Sequence, residues 1–250
     1  MVGVTLFRSK EMAGSNGTAK LLKKAQSAIA RQAEHDNAPK KAGRFGGPKS
    51  VLTIKIPQIE IKTIKVHIVG DAPLVVHAWT EKAMKMILQK QMMEAMPAKE
   101  AKDPWMDYVD SMHWLTPKPD SPTAKDIAKA RFGFPIIAFK AAAVSACSFV
   151  DGITKVLARG AFHLNGPFVE IKCDGGPVMR TDMVRLPNGN ADIRHRGEFT
   201  NWSADLMIRY STKTISAEQI INLFNHAGFH IGIGEHRIER DGVWGTFHVE

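Results

Sequence analysis

The sequence predicts an α+β fold, an antiparallel sheet with helices on one face, and three observations lead there. Apolar and polar residues alternate strictly from Val51 to Val69, the period of a half-buried strand. Ser216 with Gln219 three residues later forms a capping box, opening a segment whose Ile220, Ile221, Leu223, Phe224 and Ala227 share one helical face. That segment lies between a strand-like stretch, Trp202 to Tyr210, and a glycine-rich loop leading to the alternating run Thr246-Phe247-His248-Val249.

From the start of the chain, the first feature is charge. The 250 residues carry 34 Lys and Arg against 25 Asp and Glu, a formal net charge of +9. Residues 1–50 hold ten of the cations, among them Lys20, Lys23, Lys24, Arg31, Lys40, Lys41 and Arg44, and three acids (Glu11, Glu34, Asp36). A basic arm on a nearly neutral body points to a polyanionic partner. Thr18 to Gln32 has the spacing of a short amphipathic helix that folds on binding, and Asn37 to Ser50 has the Pro, Gly and Lys content of a linker. Residues 1–50 are therefore read as a largely flexible arm and residues 51–250 as the folded domain. No apolar run has the length of a membrane span, and MVGVTLF is too short for an export signal. Two cysteines make neither a disulfide framework nor a zinc site, so a cytoplasmic protein without cofactor is expected.

In the body, Val51 to Val69 reads as two strands broken near Pro57 or Thr63, with His67 on the polar side. Gly70-Asp71-Ala72-Pro73 is a turn. Glu81 to Glu100 reads as a helix with Met84, Leu88, Met92 and Met96 in a stripe, a surface that adapts to a neighbour. Asp103 to Thr123, with four prolines, reads as a loop pinned by Trp105, Tyr108 and Trp114. Thr123 and Asp126 cap a helix through Lys129, and Phe134 to Val150 has the small apolar residues of a helix packed closely on a sheet, interrupted by Lys140.

Val169–Lys172, Met179–Leu186 and Ala191–Phe199 read as strands, the last two joined through Asn188-Gly189, a hairpin signal. This ribbon carries Arg180, Arg185, Arg194, His195 and Arg196. Two readings stand side by side: a surface for nucleic acid, or a solvated hairpin whose arginines pair with Asp182, Asp192 and Glu198. After the capped helix, terminated by Gly228, come Gly232, Gly234, Gly242 and Gly245 around His236, Arg237 and Arg240. Glycines with cations between them suit a phosphate backbone or an acidic partner, and the alternative reading is a glycine-rich hairpin before an edge strand. Strand, helix, loop and strand make the second half of a ferredoxin-like βαββαβ unit.

Three stretches, GIGEHRIERDGVWGTFHV at the end, KVHIVGDAPLVVH (Lys65 to His77) and FPIIAFKAAAVSA (Phe134 to Ala146), together resemble the RAMP superfamily, the repeat-associated mysterious proteins. The resemblance implies a modified ferredoxin/RRM-like core with a helical insertion at about 81–133, a β-ribbon or "thumb" insertion at about 165–200, and Lys140 facing the nucleic-acid backbone. It implies a non-catalytic protein that binds single-stranded nucleic acid, RNA ahead of single-stranded DNA. Such a protein assembles side by side along the strand as a homo-oligomer or filament, like a CRISPR effector backbone subunit, and could be carried by a phage or other mobile element. Two alternatives remain open. One is a metal-independent RAMP-like endoribonuclease using His67, His77 or His113, none with an identifiable partner in the sequence. The other is a phage structural or inhibitory protein acting on a protein partner. Walker loops, dinucleotide fingerprints, nucleophile elbows and HExxH spacing are all missing from the sequence.

Overall fold

Alternation along the first strand buries Val66 and Ile68 and turns Lys65 and His67 the other way, and the sheet is built from strands of this kind. The computed structural model describes Ser27 and residues 55–95, 101–186 and 188–250, with a compact unit at Pro57–Glu250. Its order is β1 (Ile61–Gly70), β2 (Leu74–Val76), α1 (Glu81–Gln91), α2 (Pro104–Asp110), β3 (His113–Trp114), α3 (Ala124–Lys129), β4 (Phe132–Pro135), α4 (Ile136–Ala146), α5 (Lys155–Ala161), β5 (Phe162–Leu164), β6 (Phe168–Cys173), β7 (Val178–Arg185), β8 (Ala191–Phe199), β9 (Trp202–Ser211), α6 (Ala217–His230) and β10 (Phe247–Val249). The fold is α+β, and no helix among the described residues is long and apolar enough to cross a membrane.

The main sheet is antiparallel, in the order β10-β1-β9-β6-β4-β3, with β5 also on β9. β1 and β9 pair along nearly their whole length, from Ile61 opposite Ser211 to Val69 opposite Ser203. Residues directly opposite share a face. Val66, Ile68, Trp202, Ala204, Leu206 and Ile208 therefore form one buried face, against which α4 and α6 pack through Phe139, Ala142, Ala143, Leu223, Phe224 and Ala227. Trp202 is fully buried, donates Nε1–H to the Ala72 carbonyl at 2.8 Å and lies over Gly70, where there is no room for a side chain. The opposite face carries Lys65, His67, Ser203, Asp205, Met207 and Arg209.

A second sheet, β2-β8-β7, holds the ribbon. β2 pairs Leu74 with Phe199 and Val76 with Gly197. The Gly197 N–H donates to Ser111 Oγ at 2.8 Å, and Met112 occupies the space that a side chain there would need. Tyr108 donates to the Pro177 carbonyl at 2.8 Å, and Lys102 donates to Asp192 at 3.0 Å and to the Ile193 carbonyl. The segment around α2 thus holds the ribbon both at its base, at Pro177 and Gly197, and near its tip, at Asp192 and Ile193.

Several expected elements differ. Of the two strands expected between Val51 and Val69, the described residues show one, β1; residues 51–54 lie outside them, and Lys55–Glu60 is irregular and exposed around Pro57, which lacks an N–H. The expected loop at Asp103–Thr123 contains α2, capped by Asp103 with Pro104 at its first position. The expected helix at Glu81–Glu100 ends at Gln91, Met96 lying outside the described residues; α1 buries none of its residues. Val169–Lys172 lies within β6, which belongs to the main sheet, and the ribbon proper is β7–β8. Phe134 lies in β4, so the helix starts at Ile136. α6 continues past Gly228 to His230.

Candidate functional site

The glycine loop is built from backbone passing close to backbone. α6 ends at His230 with Ile231 as its C-cap, and Gly232 (φ 68), Gly234 (φ 80) and Gly245 (φ 66) adopt the left-handed region that favours glycine. A side chain on Gly245 would overlap the carbonyl of Ile233, and one on Gly242 the carbonyl of His236. The loop's amides are largely engaged: Ile233 N–H with Gly245 O, Glu235 N–H with Val75 O and Gly245 N–H with Pro73 O, each 2.9 Å. These four glycines close the loop on β2 and on itself; they do not form an open row of donors for a phosphate.

The ribbon has two different faces, set by register. Arg180 opposite Arg196 and Asp182 opposite Arg194 make one face charged; Thr181 opposite His195, Met183 opposite Ile193 and Arg185 opposite Ala191 make the other. The charged face docks on the glycine loop. Arg180 pairs with Asp182 at 2.9 Å and Glu198 at 2.8 Å and lies 3.5 Å over the Trp244 ring. Arg196, 2% exposed, reaches His236 Nε2 at 3.3 Å, Asp182 at 3.5 Å and Glu235 at 3.6 Å, and its buried Nε has no hydrogen-bond partner among the described residues. The His77 imidazole, 3.7 Å away, and the Arg196 guanidinium hold the Glu235 carboxyl down to about 2 against the opposing effect of burial.

The remaining predicted residues fall into separate groups. Arg194 lies 3.5 Å from Asp192, and His195 Nδ1 lies 3.0 Å from Thr181 Oγ1. Arg237 is held by Glu239 at 2.8 Å. Lys140 donates to the Arg159 carbonyl at 3.0 Å, beside His163 at 3.3 Å, and stands near the Phe162 ring on α5 and β5. Arg185 and Arg240 are exposed and make no ion pair among the described residues. The arm cations Lys20, Lys23, Lys24, Arg31, Lys40, Lys41 and Arg44 lie outside the described residues.

Two further clusters concern the three histidines. A groove of about 270 Å³ between α4 and the glycine loop is lined by His77, His113, Ser145, Glu235 and Arg237. Burial lowers the pKa of His113, whose ring lies 5.0 Å from Phe168. On the open sheet face, His67 does have a partner: Nδ1 is 2.8 Å from Asp205, its cross-strand neighbour. Lys172 at 2.9 Å and Lys65 at 3.3 Å complete the cluster, and the hydrogen bonds from His67 and Lys172 hold the Asp205 carboxyl well below the usual carboxylate range. Only the β1–β9 register brings positions 67 and 205 together, so no local sequence signal marked the pair. Neither a protein-family model nor a curated protein matches the chain.

Proposed function

We infer that the chain is a non-catalytic protein that binds single-stranded nucleic acid on a modified ferredoxin/RRM-like core, RNA ahead of single-stranded DNA, and lines up with further copies along the strand. The carrying observation is the ribbon. Its charged face is rooted in the loop through buried Arg196, while its other face presents exposed Met183 (71%) and Ile193 (53%) with Arg185 at the tip. An apolar pair beside a cation suits separation of adjacent bases while the cation meets a phosphate. The order β10-β1-β9-β5/β6, with α4 and α6 as the two crossovers, matches the 4-1-3-2 order of a βαββαβ core and supports the fold assignment. The engaged loop amides and the paired Arg180, Arg194, Arg196 and Arg237 shift the expected phosphate contacts to Arg185, Arg240 and the arm.

Fluorescence anisotropy with labelled single-stranded RNA, single-stranded DNA and duplex across a salt series tests this. Arg185→Ala is expected to weaken single-strand binding and to reduce the log–log salt slope by about 0.7, since one phosphate fewer is neutralised. Absence of binding to all three at low salt would sink the reading.

A second reading, a metal-independent endoribonuclease, rests on the His67–Asp205 pair flanked by two lysines. Asp205 fixes the imidazole through Nδ1, leaving Nε2, 3.9 Å from the exposed Glu250 carboxylate, as the atom that would take or give a proton, and a lysine can meet charge developing on a phosphate. The same RNA samples incubated in EDTA separate the two readings: shortening that disappears in His67→Ala favours the nuclease.

A further inference from the structure

A cavity of about 650 Å³ between α6, the turn at 150–153 and the start of α5 has no part in the site above, and its size is that of a small-molecule site. His226 and His230 line it, and with Phe149, which stacks on His230 from outside the lining, they form three nearly parallel rings. His226 and His230 have centroids 5.6 Å apart and planes 9° apart; His230 and Phe149 are 4.3 Å and 4° apart. Phe229 meets His230 edge-on at 4.9 Å. The histidines are one helical turn apart on α6, so the helix itself sets their spacing.

This arrangement differs from the aromatic packing in the core, where Phe134–Phe139 and Phe162–Phe224 meet at 89° and 62°. Nor is it buried: Phe149 is 53% and Phe229 74% exposed. A flat, solvent-facing stack is extended by another flat ring. The carboxamide of Asn222 and the carboxylate of Asp151 line the same cavity without partners among the described residues, and no described Lys or Arg lines it. A phosphate finds no cation here. A planar heterocycle finds a face to stack on and groups that read its hydrogen-bonding edge.

We propose that this cavity binds a nucleobase, stacked on the His226–His230 ladder that Phe149 backs, with its edge on Asn222 and Asp151. The base belongs either to an exposed nucleotide of a single strand or to a free nucleoside. The proposal does not depend on the phosphate contacts of the ribbon.

The test follows the ring Cε1–H signals of His226 and His230 by NMR in the full chain. Adenosine, guanosine, cytidine, uridine, benzyl alcohol and a short single-stranded RNA are added in turn. At least one nucleoside is expected to shift these signals upfield and saturably, and benzyl alcohol to leave them in place. Phe149→Ala and Phe229→Ala, both at exposed positions, are expected to weaken the effect on the order of 10-fold, and Asp151→Asn to change the order of preference among bases. The same shift with the RNA identifies a strand as the source; a shift with nucleosides alone identifies a soluble ligand. Unmoved signals with every nucleoside, an equal response to benzyl alcohol, or shifts that follow only protein concentration overturn the proposal, the last meaning that a second copy covers the rings. Anisotropy binding with unmoved histidines defeats this site alone, and nucleoside shifts without strand binding defeat only the ribbon reading.

Discussion

Arg196 is where the ribbon and the glycine loop meet, and its charge is stable in the interior because Asp182 and Glu235 converge on it. Removing one member of a buried pair leaves its partner charged and poorly solvated. Glu235 provides a pH-resolved test. Its folded pKa is depressed from 4.5 to about 2, so the ionised form is the one that the fold favours. Its contribution is therefore complete above pH 4.5 and is lost as pH falls toward 2. In urea unfolding, Glu235→Gln is expected to be less stable than wild type near neutrality and to lose less stability across that acid window. Parallel pH curves would remove Glu235 from the network. The sequence counted Arg180, Arg194 and Arg196 as cations, with pairing to Asp182, Asp192 and Glu198 as the alternative; the fold realises the pairing. Glu235 entered only through tertiary contact, because charge is visible in a sequence while the distance to an opposite charge 39 residues away is not.

Among the elements, α6 shows how a local rule is overridden. A glycine after an apolar helical face reads as a terminator, yet Gly228 lies inside α6, which runs on to His230 with Ile231 as its C-cap. The reason is β10: the Phe247 carbonyl passes so close that any side chain at 228 overlaps it. Intrinsic propensity favours alanine over glycine in a helix by about 1 kcal/mol, whereas overpacking costs about 1–3 kcal/mol. The contact is with rigid backbone, so the second effect should win. Gly228→Ala is expected to lower stability by up to about 2 kcal/mol, read as a reduced thermal midpoint with earlier hydrogen exchange in β10. A raised midpoint would show that β10 can move aside. α2 was legible in principle, since an aspartate cap followed by proline is a helix start; the surrounding prolines hid it. α1 has its Thr80 cap but no buried residue, so its Met84, Leu88 and Met92 stripe remains exposed, at 48%, 56% and 61%.

Over the whole molecule, charge and fold separate along the chain. Residues 1–50 hold ten of the 34 cations, while the ribbon and glycine-loop cations are mostly paired. If the arm supplies phosphate contacts, a chain lacking residues 1–50 should bind single strands more weakly and with a shallower salt slope. An unchanged isotherm would assign binding to the body alone. The α+β class, the β7–β8 hairpin, the capped helices α3 and α6, and the uneven charge were all legible in the sequence. These follow from short-range physics: the alternation period, caps, turn residues and net charge. The strand order, the His67–Asp205 pair, the use of the loop glycines for backbone packing, and which arginines remain free emerged only in the folded chain. Each of these depends on register between distant segments, and a shift of one residue in register would turn every side chain to the other face.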